Sequence, residues 1–163
     1  MPHNEADVYD ELISRLEDLK GEDDDGVGIK QVYDGFRKLE SIPDTAYPFI
    51  MLEPDGMETM QDAVDHVSAN YALEELTITI WVGFLTSEKG TGATGSDNIG
   101  RGMLQWGRVV RNKITDAPKH LNNKCAKIRF KAIRFMRTAQ EVIEQSHAKI
   151  VEIEVGLLCV YSN

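Results

Sequence analysis

Between Leu76 and Phe84 apolar and other side chains alternate without a break: Leu76, Ile78, Ile80, Val82 and Phe84 interleave with Thr77, Thr79, Trp81 and Gly83. A period of two over this length, rich in β-branched and aromatic residues, specifies a long strand with one buried face. The same pattern closes the chain, where Val151, Ile153, Val155, Leu157, Cys159 and Tyr161 oppose Glu152, Glu154 and Gly156. Two such strands need a layer of helix or sheet against their apolar face. Any fold for this chain is therefore built on a sheet.

The helices that supply the layer are legible in a period of 3.6. Val8, Leu12, Leu16 and Leu19 fall on one face of a helix over 6–19, which Asn4 or Asp7 caps and Gly21 ends. Ile99, Met103, Trp106, Val110 and Ile114 form the stripe of a second helix, capped by Asp97 and ended by Ala117-Pro118. Gly28 and Gly35 interrupt any helix over 29–39, so that segment reads as a strand. Tyr47–Pro54 reads as a short strand fenced by prolines, and 55–69 as helix or loop. Residues 125–136 alternate through Ile128, Phe130 and Ala132, then change phase at Ile133 and Phe135, which a β-bulge near Ala132 explains. The expected fold is α+β: a mostly antiparallel sheet of four to five strands with two main helices packed on one side. All 163 residues form one domain, with no internal repeat.

Composition narrows the function classes. At 42% hydrophobic the chain has enough apolar material for a core. No apolar run approaches the ~18 residues that cross a bilayer, and the first residues lack the basic and apolar regions of a secretory signal. No membrane contact is expected, and synthesis and folding are placed in the cytoplasm. Cys125 and Cys159 lie in apolar strand-like stretches and read as small buried core residues.

Charge is segregated. Residues 1–25 carry ten acidic and two basic side chains, whereas 101–137 carry eleven basic residues against the single Asp116, within a chain of net charge -9. Arg101, Arg108 and Lys113 lie off the apolar stripe of the second helix. Lys127, Arg129, Lys131, Arg134 and Arg137 run along the following strand. Such a face suits nucleic-acid phosphates. It suits equally the acidic segment 1–25, or Glu152 and Glu154, of a neighbouring copy, and in an acidic protein the second reading is preferred.

No catalytic constellation emerges. Gly90, Gly92 and Gly95 spell G-x-G-x-x-G, but they begin six residues after Phe84, outside the tight strand-to-helix turn that a dinucleotide requires. Gly90, Thr91, Gly92, Thr94 and Gly95 read better as a docking loop that orders against a partner. Glu22–Gly26 fails as a calcium loop, because positions one and twelve would be Gly21 and Val32. The four histidines are scattered, and His120 with Cys125 lacks a second pair for zinc. No enzyme activity, cofactor or metal is expected.

Taken together, the N-terminal helix, the Tyr47-Pro48-Phe49-Ile50 and Ile78–Phe84 strands, the Gly-rich loop, the helix with Arg108 and Arg111, and the closing Glu152-Ile153-Glu154-Val155-Gly156 strand resemble the tail terminator or neck completion proteins of tailed bacteriophages. The resemblance covers most of the chain, as an order of elements. It implies a sixfold ring in the virion that stops tail-tube growth, docks the head–tail connector and lets DNA pass. Its partners would be copies of itself, the tube protein, the connector and the passing genome. A tail-tube or connector subunit, and a nucleic-acid-binding module, are the competing readings. Arg101, Arg108, Arg111, Lys113, Lys127, Arg129, Lys131 and Arg134 are the candidates for subunit contact or channel lining.

Overall fold

In the computed structural model, the described residues are 3–21, 28–59, 71–85, 99–136 and 148–162. The Gly90–Gly95 segment, expected as a docking loop, the Glu22–Gly26 run, Arg137 and residues 60–70 lie outside them, as do His66, Asp97 and His147. The side chain of Arg101 is outside them as well.

Helix α1 spans Glu5–Glu17; Asn4 caps it, its Oδ1 accepting from the Ala6 and Asp7 amides at 2.9 and 3.4 Å. Strand β1 is Gln31–Asp34, and two 3-10 turns, Leu39–Ser41 and Asp44–Ala46, lead into β2, Phe49–Thr59. Strand β3 is Tyr71–Leu85, helix α2 is Ile99–Thr115, and a left-handed turn, Lys119–Asn123, precedes β4, Lys127–Met136. Strand β5, Ala148–Ser162, closes the chain.

The five strands form one mixed, mostly antiparallel sheet in the order β1-β2-β3-β5-β4, an α+β fold as expected. Three pairings are antiparallel, but β1 runs parallel to β2, with Val32 opposite Ile50. Neighbours in sequence had pointed to antiparallel pairing here. Residues 35–48 instead cross the sheet, and their Ile42, Ala46 and Tyr47 bury against Phe49, Met51 and Ile150 on the way. A second difference concerns 55–59, expected as helix or loop. Strand β2 runs through Pro54 with a register shift between Pro54 and Gly56, and continues to Thr59 because β3 is long enough to pair with it. Pro54 thus marks a bulge within the strand. The bulge expected in β4 is present, between Phe130 and Ala132.

Both helices lie on one face. Val8, Leu12 and Leu16 of α1 and Trp106, Val110 and Ile114 of α2 share a core with Ile78, Ile80 and Val82 of β3 and Val151, Ile153 and Val155 of β5. Cys125 and Cys159 are buried in it as thiols, with no disulfide. Helix α1 packs over the β1–β2 end and α2 over β5 and β4. Arg15 of α1 joins the two. Its buried guanidinium donates to the carbonyl oxygens of Ile114 at 3.3 Å and Asp116 at 2.6 Å, and to that of Pro118. The Ile114 and Asp116 carbonyls lie at the end of α2, where helical partners run out and a cation is favoured; Pro118 opens the turn that follows.

Candidate interaction surfaces

On the face away from the helices, β3 and β5 present polar side chains, and the basic strand β4 lies beside them. Glu75 of β3 is buried, and its carboxylate crosses β5 above Gly156 to reach β4. There Oε2 accepts from Arg129 Nη1 at 3.1 Å, and Oε1 pairs with Lys131 Nζ. Lys131 Nζ also donates to Thr77 Oγ1 at 2.9 Å. Further along, Arg134 Nη1 lies 3.2 Å from Glu154 Oε2 and 3.6 Å from Glu152 Oε2. The Arg134 pairs join the adjacent strands β4 and β5, and Glu75 ties β3 to β4 across β5. Arg129, Lys131 and Arg134 are therefore matched by carboxylates of their own chain, where the linear charge count suggested a neighbour's.

The remaining candidates separate. Lys113 reaches back to Asp18 at 3.8 Å, a contact between the helices. Arg111 lies over the Phe130 ring, 5.1 Å from its centroid, the geometry of a cation–π contact. Arg108 and Lys127 are exposed and have no ion pair among the described residues. The expected basic surface thus reduces to isolated cations outside a neutralised network.

A groove of about 580 Å³ opens between α2 and the outer strand β4. Helix α2 sits close on β4 at Gly107, where a Cβ would lie in ordinary contact with Ile133 Cγ2 at 3.4 Å. Ile133, Phe135 and Leu104 supply apolar lining, and Arg108 and Arg111 supply charge. Leu104 is 61% and Phe135 45% exposed.

A second groove, of about 480 Å³, lies at the opposite margin, between α1 and β2. Strand β1 covers β2 only as far as Leu52, so Glu53–Thr59 has a strand neighbour on one side alone among the described residues. Tyr9, Pro54, Met57 and Leu76 line this groove, with Glu5 and Asp55 at its rim. Met57 is 45% exposed. The sequence signal for this site was faint: one methionine in the Asp55-Gly56-Met57-Glu58 run.

The titratable groups with shifted behaviour are structural. Burial, reinforced by the Asp34 carboxylate, pushes the Tyr9 hydroxyl upward, and that oxygen lies 2.7 Å from Asp34 Oδ1 and 2.9 Å from the Leu52 carbonyl. Burial, with Cys159 adding to it, pushes the Cys125 thiol up to about 12. A thiol so disposed is a poor nucleophile. Among the described residues no His, Cys, Asp or Glu cluster could hold a metal ion, and no helix is long and apolar enough to cross a membrane. No family model matches the chain, and no curated protein matches it.

Proposed function

We propose that the chain is a structural subunit of a tailed bacteriophage: a tail terminator that forms a ring, caps the tail tube, ends its polymerisation and joins it to the head connector while DNA passes. The observation that carries this reading is the exposure of large apolar side chains at both margins of the sheet, Met57 beside β2 and Leu104 and Phe135 beside β4. A chain that works alone keeps strand margins charged, short or covered. A subunit of a closed ring covers both with its neighbours.

The polar sheet face supports the same reading. A wall past which DNA slides must not grip phosphates, and three of the β4 cations, Arg129, Lys131 and Arg134, are already held by Glu75, Glu152 and Glu154. This disfavours a nucleic-acid-binding module, whose cations must be free to displace counterions. In this reading the protein resides in the virion neck after assembly in the host cytoplasm.

Electron microscopy of the purified chain, alone and with tube protein, tests the proposal. Discrete rings, and tubes that stop growing when the chain is added, are expected. Open tubes formed by the chain alone would identify a tail-tube subunit instead. Reversing Arg108 and Arg111 to Glu is expected to abolish the rings.

A further inference from the structure

The two grooves differ in one respect that matters for what fills them. Both are apolar inside, but the α2–β4 groove is rimmed by Arg108 and Arg111 and the α1–β2 groove by Glu5 and Asp55. They lie at opposite margins of one sheet, over the same face. We infer that they are the two halves of a single interface between copies of this chain, with the Met57 segment of one copy seated in the α2–β4 groove of the next.

Charge decides the pairing. Two α2–β4 grooves set against each other would bring Arg108 and Arg111 of both copies together, and two α1–β2 grooves would oppose carboxylates. Like-charge juxtaposition of this kind disfavours an interface. Only the mixed pairing matches both rims. The shapes agree as well. Met57 stands out beside Gly56 on the uncovered stretch of β2, and a flexible thioether suits an irregular cleft lined by Leu104, Ile133 and Phe135. Because each copy carries one groove of each kind, a first contact leaves one of each unfilled, and growth proceeds head to tail. The inference rests on the assembly reading only in taking a second copy as the partner; it requires neither a ring nor a phage.

Sedimentation and light scattering of exposed-residue variants provide the test, with thermal unfolding confirming that each is folded. Arg108→Glu and Asp55→Lys are each expected to weaken self-association about tenfold or more, and the double variant to recover it, because the swap restores opposite signs. Met57→Lys and Phe135→Lys block one groove each. Mixed in equal amounts they are expected to form two-chain species and nothing larger. Unchanged association of Arg108→Glu, a double variant weaker than either single one, or a wild-type chain that stays single at the highest concentrations would overturn the inference. Open chains with these sensitivities but no rings would uphold the interface and sink the terminator proposal. Rings that persist in both single variants would do the reverse.

Discussion

Gly156 of β5 lies directly under the carboxylate of Glu75: a Cβ at Gly156 would stand 2.7 Å from Glu75 Cδ. The missing side chain is what lets a β3 carboxylate span β5 and reach Arg129 and Lys131 on β4. Gly156→Ala is expected to destabilise the fold by about 1–3 kcal/mol, as overpacking does. In a Glu75→Ala background the same change should cost much less, because the clash is gone. Urea unfolding of the four members of the cycle measures this coupling. Additive losses would show that the two residues do not share the space.

Arg15 illustrates a different dependence. Its guanidinium serves three carbonyls around the end of α2, and a lysine ammonium on a flexible stem cannot reproduce that fork. Arg15→Lys is expected to cost about 1–3 kcal/mol, the price of buried acceptors left without partners. Denaturant midpoints with unchanged m-values check it, and a loss below a few tenths would refute it.

Trp106 is fully buried, its ring tilted 32° against Phe84 with centroids 6.5 Å apart, and its Nε1 has no partner among the described residues. Trp106→Phe therefore removes volume without breaking a hydrogen bond, whereas Trp106→Ala should cost about 3–5 kcal/mol. Thermal unfolding of the pair tells whether the indole acts by packing alone; equal losses would contradict it.

Arg111 and Arg108 look alike in sequence but differ in surroundings. Loss of the cation over Phe130 in Arg111→Ala is expected to cost about 0.5–1 kcal/mol. Arg108→Ala should stay within about 0.5 kcal/mol of wild type in the dissociated chain. Melting at low protein concentration separates them.

The Cys125 thiol supplies a pH dependence. Burial lifts its pKa to about 12 from the ordinary 9.0 of an exposed thiol, so the native state favours the protonated form. Its contribution is fully present below pH 9.0 and fades as pH rises towards 12, where the unfolded chain has already given up its proton. Stability should therefore fall across that alkaline window, and Cys125→Ala should fall less steeply. The buried thiols should react with a thiol reagent only after unfolding; rapid reaction of the native chain would contradict their burial.

What the sequence revealed depended on how local the physics was. The strands β3 and β5 and the stripes of α1 and α2 are written in unbroken periodicities. The bulge in β4 showed as a change of phase. The second half of β2 was hidden, because Asp55–Thr59 is exposed and owes its extended form to β3 alone. The parallel β1 was hidden too, since its direction is set by a crossing segment. Arg15 left a usable trace: it falls seven residues after Val8, inside the apolar stripe, where an arginine needs buried acceptors. Glu75, the partner of Arg129 and Lys131, left none. Glu75 is 54 residues from Arg129, and a running charge count cannot see across a sheet.

The Arg15 clamp also bears on the order of folding. Arg15 is separated by 99 to 103 residues from the carbonyls it serves, whereas α1 itself needs only its own turns. Closing so long a loop costs conformational entropy before any contact returns it. Helix α1 is thus expected to be among the last elements to settle. Hydrogen exchange during refolding is expected to find the amides of α1 protected later than those of β3 and β5.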